Sequence, residues 1–490
     1  MHHESLESFL PDNGASRRDF LRYTGLGLGS LALVHLMQSE NLLASPATAS
    51  HDLSPKQGHF APRAKAVIQL FQMGGPSQMD LFDPKSELQT RSGQKHVDEV
   101  ESFQPGSESN MLMGTPFKFA KYGQCGMDFS ELLPHIANTA DHWCMIRSMY
   151  TGNNNHPQAT RMINTGKIFA GRPTLGAWIS YGLGTENENL PAYTVLRDPD
   201  GYSGGGTTQW ENGWLPALYR GTEFRSRGEP VLNLHPAEAT PASARKNVLD
   251  LIAKLNQKHR EPYPAQTDLE ARIRNYELAA RMQLHAEEVL DISGETEATR
   301  KMYGLDQPLT ADYGTRCLMA RRLVEAGVRY VQLMPPIKPQ VMPWDHHRNL
   351  AQDMNVIAPR IDQPSAALIR DLFQRGLLDD VIVMWTGEFG RLPISQLKNG
   401  RDHNRFAFTN LVAGGGFKAG HVHGATDEIG YKAVEGRVGV NDFLATIMHQ
   451  VGLDHDRVTY KHNGIAETLT DKKVTAARVV GEILQSPPDI

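Results

Sequence analysis

Carboxylates and imidazoles gather in five short polar segments of this chain, and that mixture is the ligand chemistry of a divalent transition metal. The segments are Gly74-Gly75-Pro76-Ser77-Gln78-Met79-Asp80, Asn153-Asn154-Asn155-His156, Trp344-Asp345-His346-His347, Thr386-Gly387-Glu388-Phe389-Gly390-Arg391 and Gly400-Arg401-Asp402-His403-Asn404. Asp80, Asp345, His347, Glu388, Asp402 and His403 are the candidate metal ligands. Imidazole beside carboxylate favours Zn or Mn over Ca or Mg, which prefer oxygen shells. In Asp345-x-His347 an extended backbone would point both side chains the same way, suiting one shared ion, and would turn His346 away. Arg391 and Arg161 carry the guanidinium fork that matches the oxygens of sulfate or phosphate, so both are candidate catalytic contacts to an anionic group. His156 is the third candidate catalytic residue. Any one of these in a loop is more often a turn former or a surface group, and only convergence makes a site.

Convergence depends on the elements between the segments. Ala66 to Phe71 reads as a first strand, too short and too β-rich for a helix, ending in the Gly74-Gly75-Pro76-Ser77 turn. Short apolar runs recur at Cys144-Met145-Ile146, Val328 to Leu333, Val381 to Trp385 and Asn410-Leu411-Val412, with helical patterns between them. One such helix is expected over Ser365 to Leu377, where Leu368, Ile369, Leu372 and Phe373 share a face. Alternating strands and helices imply an α/β fold, a mostly parallel central sheet with helices on both faces. In such sheets a ligand sits beyond the carboxyl ends of the strands, and each of the five segments follows a strand or lies near one. Residues 197 to 235 break the rhythm with Gly204-Gly205-Gly206, Trp210 and Trp214, and long helical patterns follow at about 243–260 and 267–290. A long surface insertion is therefore expected at about 197–300. The Gly414-Gly415-Gly416 run reads as a tight turn, because no Lys-Ser or Lys-Thr pair follows it as a phosphate loop needs.

Composition narrows the class. With 40% hydrophobic and 21% charged residues in 490, the chain is an ordinary globule, large enough for a sizeable core. Its net charge is -5, from 50 basic and 55 acidic residues, which argues against a general nucleic-acid surface. Cys125, Cys144 and Cys317 form no CxxC pair, so neither a zinc knuckle nor a disulfide scaffold is indicated. Ser16-Arg17-Arg18-Asp19-Phe20-Leu21, the uncharged stretch that follows and Ala47-Thr48-Ala49 read as a twin-arginine signal with a small-residue cleavage site. The expected organisation is a signal peptide over 1–49, a flexible lead-in over 50–64 and one domain over 65–490. The twin-arginine export machinery would be a partner, and the mature protein would be periplasmic or extracellular. No other segment reaches the roughly 20 apolar residues of a membrane span, so no integral membrane segment is expected after processing.

Taken in order, Gly74 to Asp80, Asn155-His156-Pro157, Trp344-Asp345-x-His347, Glu388-Phe389-Gly390-Arg391 and Gly400-Arg401-Asp402-His403 resemble an uncharacterised exported family, domain of unknown function fifteen-oh-one. That family stands near the sulfatases in the alkaline phosphatase superfamily. The resemblance implies metal ligands at the carboxyl edge of the sheet and hydrolysis of sulfate or phosphate esters. It would make Asp345 and His347 a pair on one metal and His403 a later ligand, with Glu388 where the superfamily usually has Asp. There are two departures. Gln72 holds the place of the superfamily's first Asp, and Asp80 comes later. Thr160 to Gly166 resembles the stretch after the sulfatase nucleophile, yet His156 and Pro157 precede it where a Cys, Ser or Thr would stand.

The expected function is an exported metal-dependent hydrolase acting on an anionic ester, a small molecule or a carbohydrate. Without a hydroxyl or thiol nucleophile, a metal-bound hydroxide could attack directly and invert a chiral centre, or His156 could attack and retain it. His156 as a further ligand or hydrogen-bond donor is the third reading. The alternative function is a catalytically inactive binding or envelope protein that keeps the sulfatase-like fold. The metal-type residues favour the first function and the missing nucleophile favours the second.

Overall fold

A computed structural model of the chain describes residues 52–228, 231, 242–260, 262, 267–339 and 342–488. The expected signal peptide lies outside the described residues. A nine-stranded sheet forms the centre. Its strands are β1 (Ala66–Phe71), β2 (Trp143–Tyr150), β3 (Tyr193–Leu196), β4 (Thr222–Phe224), β5 (Tyr330–Leu333), β6 (Val381–Thr386), β7 (Phe408–Ala413), β8 (His421–His423) and β9 (Val438–Gly439). The spatial order is β8-β2-β7-β6-β1-β5-β3-β4, with β9 also pairing β2. Only β7 runs against its neighbours β2 and β6; every other pairing in the sheet is parallel.

Both faces of the sheet are covered, and the side-chain alternation shows it. β1 sends Ala66, Ile68 and Leu70 into one apolar cluster and Val67 and Phe71 into the other. α1 (His156–Thr165), α2 (Leu175–Leu183) and α7 (Val440–Gln450) pack on the second side. α4 (Thr267–Leu290), α5 (Ala311–Glu325) and α6 (Leu350–Gln374) pack on the first, and α3 (Ala242–Arg260) packs against α4. A strand buried on both faces reads as a continuous apolar run, which is why these strands stand out in the sequence.

The fold departs from expectation in three places. The helix expected at Ser365 begins at Leu350 and runs through Pro359 and Pro364. Each interior proline costs about 3 kcal/mol. Burial of Leu350, Met354, Ile357, Ala358 and Ile361 in the core outweighs that cost. The stretch expected as a surface insertion supplies the edge strand β4, paired in parallel with β3 through Thr194↔Thr222 and Leu196↔Phe224. It also sends Trp210, Phe224, Leu278, Met282 and Ala286 into the interior. The lead-in is tied down where it is described: Lys56 N–H donates to the Leu183 carbonyl, His59 and Phe60 N–H to Gly452, and Arg63 N–H to Gln450.

Candidate metal centre

Four strand ends deliver the site. The loop after β5 carries Asp345 and His347, and α1 begins at His156 shortly after β2. Asn155 and Pro157 suit the start of that helix, and Gly166, at φ 70°, ends it in the left-handed conformation. After β6 the chain forms a two-stranded ribbon of Gly390–Arg391 with His403–Asn404, in which His403 faces Arg391. Because β7 is reversed, its beginning lies at this edge, and so does the ribbon that precedes it. The loop after β1 closes the site from behind. Gly74, at φ 114°, lies so near Trp344 and Asp345 that an added Cβ would stand 2.6 and 2.7 Å from their backbone nitrogens.

His156, Asp345, His347 and His403 converge there, with one ligand-type atom of each within 4.8 Å of the others. Asp345 Oδ1 is the hub. It lies 3.1 Å from His156 Nε2, 2.8 Å from His347 Nε2 and 3.2 Å from His403 Nε2. Arg391 Nη2 also donates to it at 2.7 Å. The opposite nitrogen of each ring is committed elsewhere. His156 Nδ1 meets Glu388 Oε1 at 2.7 Å, His347 Nδ1 meets Gln396 Oε1 at 2.6 Å, and His403 Nδ1 meets the Asn154 carbonyl at 2.6 Å. All three partners are acceptors, with the Gln396 amide oriented by its own donation to the Pro105 carbonyl. Each Nδ1 therefore carries the proton, and each Nε2 presents a lone pair toward Asp345.

Lone pairs converging on an anionic oxygen call for a cation between them. His156 Nε2 and His347 Nε2 are buried and have no hydrogen-bond partner, although Asp345 is close; the oxygen lies off the line a hydrogen bond requires. Nitrogen-rich donors with one carboxylate fit a divalent transition metal better than Ca or Mg. The electrostatics agree with a charged centre. Burial pushes the Asp345 carboxyl up, but Arg391 and the three imidazoles outweigh it and hold it well below the usual carboxylate range. Burial lowers His156, while the carboxylates of Asp345 and Glu388 beside its ring raise it more, so the net direction is up. His403 is pushed down to about 3, chiefly by burial.

The other sequence candidates stand around this cluster rather than in it. Glu388 lies behind His156, and its Oε1 also accepts the Gly74 N–H at 2.8 Å, so it orients the imidazole and the loop together. Asp80 is fully buried in an ion pair with Arg401, at 2.8 and 3.2 Å, and accepts from the Ser77 hydroxyl. Asp402 accepts the N–H groups of Phe103 and Gln104 at 2.6 and 2.7 Å and that of His403 at 2.8 Å. Arg391 spends its donors on the carbonyls of Gly74, Gly75, Trp344 and Arg401 besides Asp345. Arg161 lies beyond His156 on α1, its Nε unpartnered, beside a cavity of about 20 Å³ lined also by Thr160, Thr208 and Gln209. His346 is not in the cluster; it is buried near Trp344, and burial pushes it down to about 3.

Sequence reasoning missed Gln396 and the Asn154 carbonyl, which hold two of the rings, and Phe103, which stacks on His403 at 5.1 Å with 39% of its surface exposed. A glutamine, a backbone oxygen and a lone phenylalanine carry no motif that could have marked them.

Solved structures with similar folds include a phosphonate monoester hydrolase from Silicibacter pomeroyi, at 14% identity over 73% of each chain and a TM-score of 0.32. A sulfatase from Pseudoalteromonas sp. is similar at 12% identity over 66% of this chain and 62% of its own, with a TM-score of 0.31. Alkaline phosphatase from the Antarctic bacterium TAB5 follows at 9% identity over 73% of this chain and 92% of its own, with a TM-score of 0.26. Likenesses this low do not bear on what the site does. No curated protein matches the chain in sequence. The family is fixed by its sequence profile, which matches residues 64–484: the chain belongs to the family described as Protein of unknown function (DUF1501).

Proposed function

We propose that the protein is an exported metal-dependent hydrolase of sulfate or phosphate esters, with His156, Asp345, His347 and His403 holding a Zn or Mn ion. The observation that supports this reading is the set of buried Nε2 atoms facing Asp345 Oδ1, each with its Nδ1 already satisfied. A divalent ion held there would supply Lewis acidity and bring the pKa of a bound water to roughly 7. Glu388, Gln396 and the Asn154 carbonyl keep the three rings in the ligating tautomer. Arg391 is fully buried and turned toward Asp345 and four carbonyls, so Arg161, with its Nε unpartnered, is the contact for the anionic ester. His156 is tied at Nδ1 to Glu388 and would give its Nε2 lone pair to the ion, so it is not free to form a covalent intermediate. Water is then the attacking group, and configuration at phosphorus or sulfur inverts.

The test uses the exported protein, trimmed near Ser50, with its metal content measured and a panel of aryl sulfates, phosphate esters and phosphonate esters as substrates. Turnover should vanish with a chelator and return with Zn or Mn, and a chiral, isotopically labelled ester should invert. Retention that disappears in His156→Ala overturns direct attack. A fully metal-loaded protein that turns over nothing in the panel overturns the hydrolase and leaves the binding-protein reading. A chain that stays untrimmed in the cytoplasm overturns the export half.

A further inference from the structure

Two phenylalanine rings pack on His403, and they differ in what lies beyond them. Phe389 is fully buried, its ring centre 4.5 Å from that of the imidazole. Phe103 lies nearly parallel to the imidazole at 5.1 Å and keeps 39% of its surface exposed. Its backbone is pinned. Asp402, itself fully buried, accepts the N–H groups of Phe103 and Gln104 on Oδ2 and that of His403 on Oδ1, so one carboxylate ties the ring to the ligand it covers. Two residues further on, the Pro105 carbonyl accepts from Gln396, the side chain that orients His347. Leu397 comes next after Gln396, 45% exposed and at φ 46°, an uncommon conformation for so bulky a residue. Its N–H donates to the Gly106 carbonyl at 3.0 Å, and a Cβ added to Gly106 would stand 2.8 Å from Leu397 Cδ2, so the leucine lies against the segment that carries Phe103.

A single exposed apolar side chain is ordinary and needs no partner. Phe103 and Leu397 stand apart because the bonds that fix them are shared with the partners of His403 and His347. In the cluster, His156 and His403 are buried, while Asp345 and His347 keep part of their surface exposed. A group held at the Nε2 edge of His403 brings its substituent within reach of the ring stacked over the same imidazole. That ring is rigid and already fixed in place, so contact with it costs little conformational entropy. A phenyl face prefers a flat partner, either a second aromatic ring or the C–H face of a sugar. We propose that Phe103, with Leu397 against the same segment, is the platform for the organic group of the ester, and that the substrate presents a flat apolar face there. The proposal rests on the hydrolase reading for the ion and the anionic end of the substrate.

The experiment is calorimetric titration of the metal-loaded protein with methylphosphonate, phenylphosphonate and a glucopyranosyl methylphosphonate. Phenylphosphonate, the pyranosyl compound or both should bind at least about tenfold more tightly than methylphosphonate, and which of them does so names the organic group. Phe103→Ala should bring all three within about twofold of one another, whereas Phe103→Tyr should keep the preference because the ring remains. Leu397→Ala should weaken it less. Metal content should stay at the wild-type value in every variant, since neither side chain offers the ion a ligand. Equal affinities in the wild type overturn the platform and leave the hydrolase reading standing, as does a preference that Phe103→Ala retains. Metal lost in Phe103→Ala would make the ring a cover for His403, which also overturns the platform. A preference that Phe103→Ala abolishes, in a protein that turns over no ester, keeps the platform and overturns the hydrolase. A protein that binds none of the three phosphonates overturns both.

Discussion

Asp345 and Asp80 are both carboxylates beyond the carboxyl ends of sheet strands, and each has an arginine beside it, but their surroundings differ in what they lack. Around Asp80 the account is closed: Arg401 meets both carboxylate oxygens, the two side chains are fully buried, and Ser77 adds a hydroxyl. Around Asp345 it is open. One arginine is shared with several carbonyls, and three imidazole nitrogens approach a single oxygen without protons to offer it. A matched ion pair needs nothing further, whereas a convergence of lone pairs is stable only with a cation inside it. Position at a strand end therefore does not make a ligand; the unmet requirement of the neighbours does.

Breaking the open side should have the larger effect. Asp345→Ala removes the hub, and metal affinity should fall by more than the roughly 10- to 100-fold that losing an orienting partner costs. Tm should fall with it, because bound metal stabilises only the folded state. Metal analysis and thermal unfolding check both, and His403→Ala should behave alike. If neither variant changes metal content or Tm, the cluster is not a metal centre.

The closed side should respond in stability alone. Asp80→Ala strands the Arg401 guanidinium in the interior, a loss of about 3–5 kcal/mol for one partner of a buried pair. Metal bound per folded molecule should not change. Urea unfolding gives the first quantity and metal analysis of the folded fraction gives the second. A folded Asp80→Ala protein that has lost its metal would return Asp80 to the site and erase the contrast.

That contrast also marks how far the sequence could be read. The sheet was legible because strands buried on both faces write continuous apolar runs, and the segments after them pointed to the right edge. Asp345 and His347 could be paired by their spacing, which carries its own geometry. Asp80, Glu388 and Asp402 looked like equal candidates because their true partners are remote. Arg401 is 321 residues from Asp80, His156 is 232 from Glu388, and Phe103 is 299 from Asp402. Only the folded sheet decides which carboxylate faces an arginine, an imidazole or a row of N–H groups. Pro364 likewise hid the start of α6, since local propensity argues for a helix beginning there while long-range burial carries it through.

Asp362, on α6, gives the smallest and most conditional test, because it is a buried carboxylate with neither a matched arginine nor a metal-type partner. Its two oxygens accept the N–H groups of His135 and Ile136 at 2.9 and 2.7 Å. Burial pushes its carboxyl up to about 6, with those N–H groups and Arg370 pulling only partly back. The folded state thus keeps a proton between about pH 4 and 6 that the unfolded chain has released. With more protons bound in the folded state, stability falls as pH rises through that window, the reverse of an ion-paired carboxylate. A rise from 3.8 to about 6 corresponds to at most roughly 3 kcal/mol. Asp362→Asn cannot ionise and should lose this dependence, and it recovers less than the full stability because its amide turns a donor toward one of the two N–H groups. Urea midpoints at pH 4, 5, 6 and 7 should therefore decline for the wild type relative to the variant. Parallel curves would mean that Asp362 ionises freely in the fold, and that burial without a cation is no obstacle to a carboxylate in this interior.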